Sequence, residues 1–296
     1  MEISIIGSGL VGQTTGIGLC LHGHDVVFYD IDEKKLEMLR RRGHRTGTLE
    51  EAVESSAVHM ICVPTPTVKG KFDGTYVETA VTKLAQALVK KNEYQVVVVR
   101  STVLPFTMRN KVIPLLRRHS SLKLGEHYGV CHNPEFLRSK YPLCDFLNPK
   151  LIVIGELDKH SGDPLEKLYS SLDAPIFRTK FEESEIIKYA ANLFNATKVS
   201  FFNEIYLTCG ELGIEQNILP KAIALAAIGL TIPNWGTQGG YPFGGSCLPK
   251  DLKAFINFVE ERFGHNPPLL RSVLKVNKKI ARVWRKNDAV NCGANV

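Results

Sequence analysis

A short β-rich run, residues 3–6, passes directly into Gly7-Ser8-Gly9-Leu10-Val11-Gly12, then into a helical pattern over residues 13–21 and a second β-rich run, 25–29, that ends at Asp30. Few backbones satisfy that order. Gly7 allows a tight turn, Gly9 lets a pyrophosphate approach the main chain, and Gly12 permits close packing of the following helix on the strand. The N-terminus of that helix offers free N–H groups and the positive end of its dipole to phosphates. Asp30 lies 23 positions after Gly7, where a carboxylate at a strand end accepts hydrogen bonds from both hydroxyls of a ribose and repels a 2′-phosphate. NAD is therefore favoured over NADP. In the plainer alternative the glycines only make a turn and Asp30 only caps a helix, but Asp32 is better placed to cap the helix starting at Glu33.

The strand rhythm continues through residues 58–63, 96–99, 129–131 and 151–154, with helical patterns between most of these runs. Continuous apolar strands separated by helices predict an α/β fold, a Rossmann-like, doubly wound and mostly parallel sheet covered on both faces. After Phe181 the strand pattern disappears. Residues 182–212 form one long helical pattern without proline and residues 215–228 a second; residues 229–245 make a loop rich in Gly and Pro, and two more helical segments end near Lys286. The expected division is a dinucleotide-binding domain over 1–180 and an all-helical domain over 181–296.

With 296 residues, 44% hydrophobic and 23% charged, the chain has an ordinary globular composition, which excludes disordered, collagenous and small disulfide-stapled classes. No apolar run approaches the roughly 18 residues of a membrane span. Glu2 stands where a signal peptide would carry positive charge, so a cytoplasmic protein is expected. Seven cysteines with no C-x-x-C pair suggest neither a disulfide framework nor a zinc site, and no metal is expected. The net charge of +7, from 37 basic and 30 acidic residues, suits an anionic ligand. Its basic residues are too scattered for a nucleic-acid surface.

Two further stretches carry chemistry. In the long helical pattern Glu185, Lys188, Asn192 and Asn195 fall at steps of three and four, a narrow polar ribbon on a largely apolar helix. Such a ribbon suits a buried site, although taken alone a solvated stripe on a half-buried helix is the plainer reading. Further on, Phe243-Gly244-Gly245-Ser246-Cys247-Leu248-Pro249-Lys250-Asp251 sets a cysteine after a diglycine and at the start of a helical pattern, with Pro249 suited to its first turn. The helix N-terminus and Lys250 both favour a thiolate. A lone cysteine is more often inert packing, but this one has the setting of a nucleophile.

With these motifs in this order, the chain resembles the UDP-glucose/GDP-mannose dehydrogenase family, the nucleotide-sugar 6-dehydrogenases. The resemblance is carried by the N-terminal glycines with Asp30, Val63-Pro64-Thr65-Pro66, Ser101-Thr102-Val103, Asn133-Pro134-Glu135-Phe136-Leu137-Arg138, Lys188 with Asn192, and the cysteine turn. It implies oxidation of a nucleotide sugar at C6, from alcohol to carboxylate, with two NAD+. By this resemblance Cys247 captures the aldehyde as a thiohemiacetal that becomes a thioester, and Glu135 is the general base that activates water for hydrolysis. Lys188 stabilises negative charge on the C6 oxygen, Asn192 is its amide partner, and Asp251 helps to hold water. Leu10, Val11, Asp30, Lys35, Thr65 and Thr102 are implied to line the NAD site, with Gly7, Gly9, Gly12 and Lys250 among the cofactor contacts.

Three departures stand out. Ser139 replaces an acid that the family usually places four residues after the glutamate. Residues 229–246 contain no Arg or Lys, whereas the family usually has an arginine there that reaches the partner subunit's substrate. Family members also continue into a second Rossmann-like domain, while this sequence stops shortly after the 269–286 helical segment. A two-electron β-hydroxyacid dehydrogenase is the alternative within the class, and a non-catalytic NAD-binding dimer is the alternative outside it. The first would not need Cys247. Because a helix as long and apolar as 182–212 has more surface than a domain of this size buries alone, a homodimer is expected.

Overall fold

The computed structural model describes residues 1–89, 91–215, 217–232, 235–237, 239–245 and 247–292, with side chains described as far as residue 284. In chain order the first elements are β1 (Glu2–Ile6), α1 (Leu10–Leu21), β2 (Asp25–Tyr29), α2 (Glu33–Arg41), β3 (Arg45–Thr46), α3 (Leu49–Glu54) and β4 (Val58–Ile61). A small hairpin, β5 (Thr67–Val68) and β6 (Lys71–Phe72), precedes α4 (Thr75–Ala87) and β7 (Gln95–Val99). One π-helical turn, Met108–Val112, runs into α5 (Ile113–His119), and β8 (Tyr128–His132), α6 (Pro142–Leu147), β9 (Ile152–Glu156), α7 (Lys159–Tyr169), β10 (Ile176–Thr179) and α8 (Phe181–Glu211) follow. Eight strands form one sheet in the order β10-β9-β8-β7-β4-β1-β2-β3. Its ladders are parallel except that β9 runs antiparallel to β8.

The unbroken apolar runs are explained by burial on both faces. Side chains alternate across a strand, so Val96 and Val98 enter one core with Ile3, Ile5 and Phe28, while Val97 and Val99 enter the other with Ile6 and Ile61. Helix α1 starts at Leu10, three residues earlier than its apolar pattern suggests. Glycine inside this helix serves packing: a Cβ on Gly16 would come within 2.3 Å of the Phe28 ring. Strands β3 and β10 and the β5–β6 hairpin escape the pattern because they are short and lie at sheet edges or outside the sheet, where burial is partial.

The chain forms two compact units, Met1–Asn192 and Leu193–Val296, and α8 contributes to both. In the second unit all the described elements are helices: the end of α8, α9 (Leu219–Ala226), α10 (Ile228–Thr231), α11 (Leu248–Phe263) and α12 (Pro268–Cys292). The 215–228 pattern is broken into α9 and α10 at Ala227, which is extended with ψ 109°. Gly264, at φ +71°, ends α11 in the left-handed conformation that a residue without Cβ takes most cheaply. Glu204 then caps α12, accepting from the N–H groups of Leu269 (2.8 Å) and Leu270 (3.0 Å). No described helix is long and apolar enough to cross a membrane.

Candidate active site

The site begins at the β1–α1 turn. Gly7 has φ +98°, and a Cβ on Gly12 would lie 1.9 Å from the Gly7 carbonyl oxygen, so helix and turn approach as only glycine permits. Above Gly9 there is open space for at least 4 Å. Gly9 is the N-cap of α1 and supplies no side-chain cap, which leaves the first N–H groups of the helix available to an anion. At the end of β2 the buried Asp30 carboxylate accepts from the Ser8 N–H (2.6 Å) and the Asp32 N–H (2.9 Å), and Lys35 Nζ lies 3.2 Å away. Asp30 is thereby fixed, and its charge is only partly offset by the half-exposed lysine. Asp32, as the spacing suggests, is the residue that caps α2.

A cleft of about 580 Å³ runs from Asp30 to the carboxyl ends of β7 and β8. Gly7, Gly9, Leu10, Val11, Asp30, Lys35, Thr65, Thr102 and Glu135 line it together, while Gly12 is buried beneath the turn. It crosses from β1 to β4, where the strand order reverses, the position at which open α/β sheets bind dinucleotides. The open glycine turn, free helix end and fixed carboxylate all fit NAD. Ser101 Oγ donates to the Val63 carbonyl (2.6 Å), tying together two of the motif loops at this rim.

Glu135 and Lys188, 53 residues apart in sequence, meet at the far end. Lys188 Nζ, almost fully buried, donates to Glu135 Oε1 (2.9 Å) and to the Glu135 carbonyl (2.5 Å). An acid and a base so placed can hold and exchange a proton beside a bound substrate. The polar ribbon on α8 is therefore not simply a solvated stripe. Glu185 is also buried, accepting from the Phe106 N–H (2.7 Å) and Met108 N–H (2.8 Å), and burial pushes its carboxyl up from the usual range. Asn192 and Asn195 are exposed.

Cys247, Lys250 and Asp251 belong to the second unit. Cys247 is the exposed N-cap of α11, Pro249 stands in the first turn, and Gly245 has φ +77°. Ser246 lies outside the described residues. Lys250 Nζ pairs with Asp251 Oδ1 at 2.5 Å, both side chains being largely exposed. Sequence reading missed Asn277 of α12. Its Oδ1 accepts from the Phe243 N–H (2.9 Å) and its Nδ2 donates to the Phe243 carbonyl (3.0 Å), clamping the start of the cysteine turn. Only the fold joins positions 34 residues apart, and no local pattern marks Asn277. The buried Arg100 was missed for the same reason: its partners Thr15, Asn133 and Tyr169 lie 85, 33 and 69 residues away.

A Rossmann domain with a dinucleotide cleft, continued by a helical domain with a cysteine turn, defines an NAD-dependent dehydrogenase. The chain belongs to the UDP-glucose/GDP-mannose dehydrogenase family: residues 1–46 and 41–173 match its NAD binding domain and residues 182–279 its central domain. The GDP-mannose 6-dehydrogenase of Pseudomonas aeruginosa is 39% identical over 299 residues, which take in 94% of this chain and 68% of that protein. A UDP-glucose 6-dehydrogenase of Haloferax volcanii is 33% identical, over 94% of this chain and 69% of that one. Among solved structures, a ternary complex of GDP-mannose dehydrogenase from P. aeruginosa superposes with TM-score 0.86 at 37% identity, covering 95% of this chain and 69% of that one. A UDP-glucose dehydrogenase from Pyrobaculum islandicum gives 0.69 at 34%, covering 95% and 68%.

Proposed function

We propose that the chain carries the cofactor site and reacting residues of an NAD-dependent nucleotide-sugar 6-dehydrogenase, which oxidises a C6 alcohol to the carboxylate in two steps. The observation that carries this reading is the Glu135–Lys188 pair at the end of the dinucleotide cleft. When bound, NAD+ supplies the hydride acceptor. The cleft residues hold it, with Asp30 on the ribose hydroxyls and the α1 N-terminus on the pyrophosphate; Lys250 is assigned to the cofactor as well. Lys188 stabilises negative charge on the C6 oxygen, supported by Asn192. The Cys247 thiolate adds to the aldehyde, and a second hydride departure leaves a thioester. Glu135 takes a proton from the attacking water, which Asp251 helps to hold, and the cysteine leaves as thiolate.

We assign residues 1–180 to the cofactor domain and 181–296 to the helical domain. A homodimer built on the latter is supported by apolar side chains exposed along α8 in the second unit, among them Leu193, Phe194, Val199 and Leu207. GDP-mannose is the first substrate to test, because relatives named GDP-mannose 6-dehydrogenase reach 39% identity against 33% for those named for UDP-glucose. The test is NADH production against a panel of sugar nucleotides. Two NADH per sugar supports the reading; one NADH, with the aldehyde as product, refutes it.

A further inference from the structure

The guanidinium of Arg100, at the end of β7, is 95% buried, yet among the described residues its hydrogen-bond partners are all neutral. Nε donates to Thr15 Oγ1 (2.7 Å), Nη1 donates to Asn133 Oδ1 (2.5 Å) and to the Tyr169 hydroxyl (3.3 Å), and Cζ stands 5.8 Å from the centre of the Phe146 ring. These hydrogen-bond partners are uncharged and do not balance its charge. The carboxylate that lines the same end of the cleft, Glu135, is engaged by Lys188. A buried cation with no counter-ion is costly to keep unless it acts on something that binds nearby.

Arg100 lines the cleft beside Ser101, Thr102 and Glu135. Asp30 takes the ribose of the adenosine half, at the opposite end, so the Arg100 end receives the nicotinamide. There the charge of the oxidised ring is disfavoured. We propose that Arg100 biases bound cofactor toward its reduced form, lowering the cost of hydride transfer by repelling the cationic ring and not the neutral one. The balance is that the substrate's C6–H bond breaks, its hydride forms the new C–H bond on the ring, the ring goes from +1 to neutral, and the hydroxyl proton leaves through the Glu135–Lys188 pair. This rests on the dinucleotide reading of the cleft.

Repulsion between two unit charges in a site of this kind is expected to read as roughly a tenfold effect on affinity. The unmodified chain should therefore bind NADH about tenfold more tightly than NAD+, measured by titration of each. Arg100→Gln should bring the ratio close to one, and Arg100→Lys should keep it. Thr15→Asp sets a carboxylate against the guanidinium without removing it and should collapse the ratio too, which decides the matter if Arg100→Gln does not fold. Tyr169→Phe, which loses a hydrogen bond but no charge, should leave the ratio unchanged. A purely structural role for Arg100 would weaken both cofactors equally. The proposal is overturned if the unmodified chain shows no preference, or if Thr15→Asp and Arg100→Gln retain it. Failure to bind either cofactor would overturn the dinucleotide reading and this proposal with it.

Discussion

Acidification from pH 7.5 to pH 5 should cost this chain about 4 kcal/mol of stability through two buried histidines. His59 is completely buried between Ser4 Oγ (2.8 Å from Nδ1) and Gln95 Oε1 (3.3 Å from Nε2). Because the amide oxygen only accepts, Nε2 carries the proton and Nδ1 accepts from the serine. His132, equally buried, stands next to the Asn133-Pro134-Glu135 loop with its Nδ1 2.7 Å from Ser184 Oγ. Ser184 donates its own proton to the Phe181 carbonyl (2.8 Å), so His132 Nδ1–H is the donor. Burial pushes His59 down to about 4, with help from the Lys91 charge, and His132 down to about 3, with help from Arg100.

Both folded values lie below the unfolded value of about 6.5. The unfolded chain therefore takes up protons first, and stability that is complete above about pH 7 is lost as the pH falls toward 4 for His59 and 3 for His132. At pH 5 the folded side chains are still neutral while the unfolded ones are charged, so each loses about 2 kcal/mol whatever its native value within the range below 4. Urea unfolding at both pH values, in the unmodified chain and in a His59→Gln/His132→Gln double variant, isolates the effect. Glu185 has the opposite sign, since its raised value adds stability as pH falls, but it is common to both proteins and cancels. The unmodified chain should lose about 4 kcal/mol more than the double variant. An equal loss would falsify the assignment of neutral, desolvated histidines.

Asp30→Asn should weaken NAD+ binding by about tenfold or more and narrow its advantage over NADP+, read from parallel titrations. Gly12→Ala, which drives a Cβ into the Gly7 carbonyl, should cost about 3 kcal/mol and abolish cofactor binding, measured by urea unfolding and titration. Cys247→Ser should leave NAD+ binding intact and end acid formation, whereas Glu135→Gln should accumulate a thioester on Cys247 visible by mass spectrometry. Iodoacetamide at neutral pH should label the exposed Cys247 far faster than the buried Cys62, whose thiol is pushed up to about 12 by burial; equal rates would remove Cys247 as an accessible nucleophile.

The sequence by itself determined the class of fold and one half of the site. A glycine turn between strand and helix is a local event: the residue types at positions 7, 9 and 12 and the acid at 30 are dictated by backbone conformation and by close approach within one β-α-β unit. Patterns of that range survive in a linear reading. The continuous apolar strands were legible for a similar reason, because a parallel sheet covered on both faces leaves no polar alternation. The antiparallel β9 and the edge strands were not, since pairing direction and edge position depend on neighbours distant in the chain. Tertiary structure alone decided that Glu185 and Lys188 are buried while Asn192, on the same face, is exposed. Helical spacing gives the face of a residue, and only the packing of loops 101–108 and 133–138 against that face gives its solvation. The same holds for the Asn277 clamp and for Arg100, whose neutral hydrogen-bond partners come from α1, α7 and the β8 loop converging on one guanidinium.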